Sequence, residues 1–321
     1  MKIVVLDGYT LNPGDLSWDG LKNLATDFTV YERTAPSEVV ARSAGADVLF
    51  TNKTVLTAEH FDALPTVKYV GIFATGYNVV DTAAAAKKGV TVTNVPAYST
   101  YSVAQHAFAL LLELCLHPQE HSEAVRAGEW AKSIDFSFRK YPLIELQGKT
   151  LGIIGFGEIG RKMAEIAYTF GLNVLAYKPN PDANYKHPDF AWVTFDEILE
   201  QSDILTLHCP LTPDSQGMIN KSALAKMKSS AFLINTARGG LLVEQDVADA
   251  LNNDKLAGAG LDVLSTEPPA HDNPLLTAKN CIITPHIAWA SKEARLRLMV
   301  AVIQNLNQFL NGTPINVVSK I

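Results

Sequence analysis

The sequence predicts an α/β protein made of two parallel-sheet domains, and three observations lead there. The chain has 321 residues, more than one hydrophobic core usually serves, so about two domains are expected. Residues 1–98 alternate short β-rich runs with helical patterns, which implies a parallel sheet covered by helices on both faces. A second series of the same kind begins at Lys149 with a glycine-punctuated turn from strand to helix.

In the first series IVVLD, FTVY, DVLFTN, VKYVGIF and VTVTNV read as strands, with helical patterns such as Leu16–Ala25 and Thr82–Lys88 between them. From Ser99 to Leu116 the pattern becomes a long apolar helix, followed by a more polar stretch to Pro142. The helix's apolar face must be covered, either by a second subunit or by its own domain. In the second series LGIIG, NVLAY, DILTLHCP, AFLINTA, GAGLDV and CIITPH are strands, and a last helix from roughly Lys292 to Leu310 is expected to return to the first domain. The chain then crosses between domains near Val95–Ser102 and again near Pro285–Ser291, which makes a hinge with a cleft beneath it.

A formal net charge of -6 argues against nucleic acid or an anionic membrane as partner. The longest apolar run, Ala107–Leu116, is broken by Glu113 and too short to cross a bilayer. The opening MKIVVLDG reads as a strand and not as a targeting leader, so the cytoplasm is the expected location. Cys115, Cys209 and Cys281 are odd in number, far apart and outside any C-x-x-C pattern, as in buried thiols of a reducing compartment. His117 and His121 are separated by a proline and lack a third ligand, so they mark a helix start; no metal is expected.

LGIIGFGEIG, Leu151–Gly160, runs from a strand through Gly155, Phe156, Gly157, Glu158, Ile159 and Gly160 into a helix. In a G-x-G-x-x-G turn the first glycine permits the bend, the second admits a pyrophosphate and the third lets helix and strand pack closely. The helix N-terminus offers N–H groups and a positive dipole end to the phosphates. Strand, turn, helix and second strand follow in the order a dinucleotide site needs. The second strand ends at Lys178, where an NAD-selective chain commonly has Asp or Glu to accept the ribose hydroxyls. Two readings stand for Lys178: a partner for the 2′-phosphate of NADP, or a solvated lysine that leaves the site unselective. The cofactor is NAD or NADP.

Three further segments lie at or just beyond strand ends, where open parallel sheets bind ligands: NTARGG with Arg238, LDVLSTEPP with Glu267 and ITPHIAWAS with His286. Hydride reaching a carbonyl carbon leaves charge on oxygen, which needs a cation and a proton donor. A carboxylate bonded to an imidazole favours its protonated form and fixes the ring.

With these motifs in this order, the chain resembles the D-isomer-specific 2-hydroxyacid dehydrogenase family over essentially its full length. The resemblance implies two Rossmann-like domains, one flavodoxin-like and one dinucleotide-binding, with the second inserted in the first. The substrate domain would comprise residues 1–98 and 291–321, and the cofactor domain residues 99–290 with a homodimerisation helix near 99–142. It implies Arg238 as the binder of the 2-oxo acid's carboxylate and carbonyl, His286 as the proton-exchanging group and Glu267 as its paired acid. It further implies Asp262 as acceptor for the nicotinamide carboxamide, although a strand-end aspartate capping a turn is the alternative.

His208, Cys209 and Pro210 match the loop passing the adenosine, Thr236 and Ala237 are expected beside the cofactor, and Val103 is expected to touch the nicotinamide. In the first domain Ala74, Thr75, Gly76 and Tyr77 match the loop whose amides hold the substrate carboxylate. Lys53 is a second candidate cation for the substrate, with a solvated lysine as the alternative. The family's common Val-Ala-Glu is here Val103, Ala104 and Gln105. Glu267 argues against the formate dehydrogenase branch, which has glutamine there.

PAYSTYSVAQH and PHIAWAS resemble the glycerate dehydrogenase and hydroxypyruvate reductase branch, with Trp289 and Tyr101 either closing a small pocket or simply packing the hinge, and Ser99 or Ser102 to bond a substrate hydroxyl. Two alternatives remain open: a dinucleotide-sensing regulatory binding protein of the same fold, and a dehydrogenase for another acid such as phosphoglycerate, for which Lys53 is a thin basis.

Overall fold

The structure is a computed structural model and describes residues 1–319. Positions 320 and 321, the end of the segment assigned to the substrate domain, lie outside the described residues. The chain folds as two compact units, Met1–Ser99 with the segment from Ala290 onward, and Thr100–Trp289.

The first unit runs β1 (Lys2–Val5), α1 (Asp19–Lys22), β2 (Asp27–Val30), α2 (Val39–Ser43), β3 (Val48–Thr51), α3 (Ala58–Ala63), β4 (Tyr69–Ile72), α4 (Thr82–Lys87) and β5 (Thr91–Thr93). Its sheet is parallel throughout in the order β2-β1-β3-β4-β5. β3 and β4 are buried along their whole length, as strands covered on both faces must be. The helical pattern over Leu16–Ala25 condenses to the single turn of α1.

The final helix, Lys292–Leu310, belongs to this unit. Its Phe309 ring lies 4.9 Å from Tyr69 of β4. The Arg295 guanidinium reaches both Asp15 oxygens at 2.7 Å and the Leu11 carbonyl at 3.0 Å. Asn305, 1% exposed, donates to the Asn94 carbonyl at 2.9 Å and accepts from Asn316 at 2.9 Å.

The second unit begins with α5 (Thr100–Leu116) and α6 (Pro118–Arg126). It continues as β6 (Thr150–Ile154), α7 (Glu158–Thr169), β7 (Asn173–Tyr177), β8 (Phe190–Trp192), α8 (Phe195–Gln201), β9 (Ile204–Leu207), α9 (Lys221–Leu224), β10 (Phe232–Asn235), α10 (Glu244–Asn252), β11 (Gly258–Leu261) and β12 (Cys281–Ile283). The seven strands are parallel in the order β12-β11-β10-β9-β6-β7-β8.

Alternation along each strand sends neighbours to opposite layers. Leu205 and Leu233 pack with α8, α9 and α10, while Ile204, Phe232 and Ile234 pack with α5 and α7. The apolar face of α5 is therefore covered by its own domain's sheet. Gly258 and Gly260 permit this close approach, since a Cβ on Gly260 would stand 2.9 Å from Leu110 Cβ. β8 is a strand that the sequence pattern did not reveal; it is three residues long and lies at the sheet edge, within a cluster of Phe156, Tyr185, Phe190 and Trp192 rings.

Asn305→Ala removes a buried donor and a buried acceptor together, and a loss of about 1–3 kcal/mol is expected. The difference in urea midpoint at unchanged m-value measures it.

Candidate active site

Strand register in the second unit aligns the site. Ile154 stands opposite Tyr177 and Leu207, Leu207 opposite Asn235, Asn235 opposite Leu261, and Leu261 opposite Ile283. Six strands thus end level, and the next residues along each are the glycine turn, Lys178, His208, Thr236–Arg238, Asp262 and Thr284–His286. The connections leave β6 toward β7 and β8 and then return to β9 on its other side, so the sheet's switch point lies between β6 and β9.

The glycine turn sits at that switch point. Gly155 has φ of 93°, and a Cβ there would lie 2.6 Å from the His208 carbonyl carbon. A Cβ on Gly160 would collide with the Gly155 carbonyl, whereas one on Gly157 would meet nothing within 4 Å. The first and third glycines are required by the fold, and the second keeps a space open at the N-terminus of α7, which starts at Glu158. Two buried polar atoms on this edge, His208 Nδ1 and Thr236 Oγ1, have no partner among the described residues. An open cradle at a helix N-terminus and orphaned polar atoms beside it fit a dinucleotide.

His208 Nε2 meets Thr206 Oγ1 at 2.9 Å, and burial pushes the ring's pKa down to about 3. Burial also raises the thiols: Cys115 to about 11, Cys281 to about 12, and Cys209 upward. Only Cys115 is fully buried; Cys209 and Cys281 are half-buried.

Lys178 is half-buried, with its ammonium 5.9 Å from the Trp192 ring. No arginine follows it in sequence, yet Arg161 of α7 shares its neighbourhood. Arg161 bonds Asp182 at 2.8 Å, and with Lys178 close enough to contribute, the Asp182 carboxyl is held below its usual range, chiefly by Arg161.

Beyond β12, His286 Nδ1 lies 2.6 Å from Glu267 Oε2. His286 has φ of 54°, a left-handed conformation costing roughly 1–2 kcal/mol for a residue with a Cβ. The backbone around it is fixed by Asp262, whose side chain is fully buried. Asp262 accepts from the Thr284 hydroxyl at 2.6 Å, Ile287 N–H at 2.9 Å and Ala288 N–H at 2.8 Å. These contacts cap the turn that carries His286. Ser102, expected to bond a substrate hydroxyl, instead donates to the Ala288 carbonyl at 2.6 Å.

Arg238 is exposed just beyond β10. Asn235, missed as a functional residue although it opens NTARGG, fixes the bend by donating to the Arg238 carbonyl at 2.9 Å and accepting from Ala237 N–H at 3.0 Å. A Cβ on Gly239 would overlap the Leu264 and Ser265 backbone, so the Arg238 and Glu267 segments touch through a glycine. Glu244 pins the second of them, accepting from Ser265 N–H at 2.7 Å and from Asn273 at 2.8 Å. Val103 is buried on α5, and Tyr101, 63% exposed, lies 4.9 Å from the Lys162 ammonium.

In the first unit, Asp7 beyond β1 accepts from the N–H groups of Asn52, Lys53 and Thr54 at 2.7, 2.6 and 2.7 Å. This leaves the Lys53 side chain exposed. The Ala74–Tyr77 loop is tied to the loop after β5, through Thr75 Oγ1 to the Val95 carbonyl at 2.8 Å and Asn94 to the Thr75 carbonyl at 2.6 Å. His117 caps α6 ahead of Pro118, and no cluster of metal-ligating side chains exists among the described residues.

Residues 108–288 match the family described as D-isomer specific 2-hydroxyacid dehydrogenase, NAD binding domain. The chain belongs to the D-isomer specific 2-hydroxyacid dehydrogenase family. Its second unit contains that NAD binding domain and takes a nicotinamide dinucleotide. The chain is 52% identical to the hydroxypyruvate reductase of Blautia hydrogenotrophica, covering 100% of each. It is 40% identical to the glycerate dehydrogenase of Methylorubrum extorquens, covering 99% of this chain and 98% of the other. Among solved structures, an acyclic imino acid reductase (Bsp5) in complex with NADPH and D-Arg superposes with a TM-score of 0.86 at 31% identity, covering 99% of this chain and 100% of that one.

The depressed pKa of His208, about 3 against an ordinary 6.5, has a stability consequence. The unfolded chain binds this proton more readily, so the stability present above the ordinary value is lost as pH falls from there toward the folded value. Between about pH 7 and about pH 5, wild type is expected to lose more stability than His208→Gln. Urea midpoints at the two pH values measure this, and equal losses would contradict it.

Proposed function

We propose that this chain is an NAD(P)-dependent reductase of small 2-oxo acids that interconverts hydroxypyruvate with D-glycerate and glyoxylate with glycolate. The observation that carries the chemistry is the 2.6 Å contact between His286 Nδ1 and Glu267 Oε2 at the same sheet edge as Arg238 and the glycine turn. The preference for hydroxypyruvate is supported by the likeness to a hydroxypyruvate reductase along the whole chain.

When bound, the nicotinamide supplies the hydride in reduction and takes it in oxidation. Glu267 accepts a hydrogen bond from Nδ1–H, which fixes the ring and leaves His286 Nε2 to give its proton to the substrate oxygen. Arg238 holds the substrate's carboxylate and carbonyl and offsets charge developing on oxygen. From the first unit, Lys53 and the backbone of Ala74, Thr75, Gly76 and Tyr77 are assigned to the substrate carboxylate. The glycine turn from Gly155 to Gly160 is assigned to the pyrophosphate. His208, Cys209, Pro210, Thr236 and Ala237 are assigned to the wall of the cofactor site, with Asp262 and Val103 at the nicotinamide.

Lys178 leaves β7 without the carboxylate that would repel a 2′-phosphate, and Arg161 adds a cation nearby. NADPH is therefore assigned as a cofactor alongside NADH. The chain is also proposed to work as a homodimer in the cytoplasm, built through α5 and the segment to residue 142. That segment carries Ile134 and Phe136 at 101% and 91% exposure, large apolar side chains suited to a partner. No helix among the described residues is long and apolar enough to cross a membrane.

Initial rates with hydroxypyruvate, glyoxylate and pyruvate, each with NADH and NADPH, test the proposal. Hydroxypyruvate is expected to give the highest kcat/KM, and no turnover on any of the three acids would sink it. His286→Ala is expected to lower kcat by about 100- to 10,000-fold with cofactor binding kept, while Arg238→Ala should lower kcat and raise KM together. Lys178→Asp should raise the KM for NADPH by about tenfold or more and leave NADH no worse; equal KM values in the variant and wild type would remove Lys178 from cofactor selection.

A further inference from the structure

We infer that His106, with Ser102 beside it on α5, forms a clamp that holds His286 in its working orientation, so that His106 is a positioning residue for proton transfer. The inference rests on the proposed role of His286. Ser102 and His106 are four residues apart on one helix, hence on one face. They grip the two ends of the loop that has His286 at its centre. Ser102 donates to the Ala288 carbonyl at 2.6 Å, and His106 Nε2 lies 2.9 Å from the Thr284 hydroxyl oxygen.

The protons on the His106 side are determined by the hydrogen bonds. Asp262 is a fully buried carboxylate, and a contact of 2.6 Å between Thr284 Oγ1 and Asp262 Oδ1 requires a proton between the oxygens. A hydroxyl has only one proton to give. Thr284 spends it on Asp262, so His106 must donate its Nε2–H to the threonine oxygen. The result is a directed chain, His106 to Thr284 to Asp262, ending on a carboxylate that also accepts from Ile287 and Ala288 N–H. His106 Nε2 is itself 3.5 Å from Asp262 Oδ1.

A buried carboxylate is costly unless donors surround it, and here three of its donors come from the loop carrying His286. Its charge therefore favours the one loop conformation that brings all three inward, which is the conformation that gives His286 its φ of 54°. His286 N–H, bonded to the carbonyls of Asp262 at 2.8 Å and Thr284 at 2.9 Å, is fixed in the same turn. Loss of the His106 donor leaves Thr284 free to rotate its hydroxyl away from Asp262. The loop then loses the bond that holds its first residue, and the His286 ring loses its register on Glu267.

The test compares His106→Leu, His106→Gln and Ser102→Ala with wild type, by steady-state kinetics and by the imidazole N–H resonances of histidine-labelled protein. The His286 Nδ1–H signal is identified by its loss in Glu267→Gln. His106→Leu is expected to lower kcat by about 10- to 100-fold with dinucleotide affinity kept, and to shift or broaden the His286 signal. His106→Gln, which keeps a donor at the same reach, should restore both, and Ser102→Ala should move both in the same direction by less. Should His106→Leu fail to fold, Ser102→Ala decides on the same two readouts. An unchanged signal in His106→Leu, or in Ser102→Ala where that variant decides, overturns the clamp even where kcat falls, because a merely structural side chain would slow the enzyme without moving His286. Wild type inactive on every 2-oxo acid but with the expected changes in the signal would leave the clamp standing and remove the proposed activity.

Discussion

The constraint on which the second unit depends is the parallel register that ends six strands at one level. Because β6, β7, β9, β10, β11 and β12 stop together, their next residues arrive at one edge with no long loop needed to carry them. Parallel strands also bring the N-termini of the following helices to the same side, which favours anions there. A one-residue slip in any of these strands would turn its side chains to the opposite face, carrying Asn235 or Asp262 from a bonded site into the apolar layers.

On that edge, close backbone approach does what side chains alone cannot. Gly155 lets the His208–Cys209 backbone lie against the cofactor turn, and Gly239 lets the Arg238 segment touch the backbone ahead of Glu267. The remaining order comes from buried polar groups that are costly unless satisfied. Asp262 closes the His286 loop, Asn235 bends the Arg238 segment and Glu244 anchors the segment that carries Glu267. The left-handed backbone of His286 is a local cost held in place by these bonds, and it sits where the chemistry needs a fixed ring.

Much of this was legible in the sequence, and what was hidden was hidden for two physical reasons. Strand cores such as VLFT and FLIN announce themselves through continuous apolar runs, and the glycine turn through residues whose spacing backbone geometry demands. The family motifs placed Arg238, Glu267 and His286 beyond strand ends because that follows from chain order alone. β8 escaped notice because FAW is too short to show a period. The association of Arg161 with Lys178, the bond from Ser102 to Ala288 and the reach of His106 to Thr284 escaped for another reason. Each depends on how segments distant in sequence are brought together, Arg161 and Lys178 through Asp182 and the other two by direct bonds, and no local pattern encodes it. For Asp262 the chain order gave the position but left the task open between ligand and turn, and only the donors around it show the capping bonds.

The central claim is that a histidine held by a carboxylate delivers the proton as a 2-oxo acid is reduced. Its most direct test is the pH dependence of kcat for hydroxypyruvate reduction in wild type and in Glu267→Gln. If Glu267 favours the proton on His286, the rate should fall on the alkaline side, and that fall should begin at lower pH in the variant. Superimposable profiles would contradict the claim.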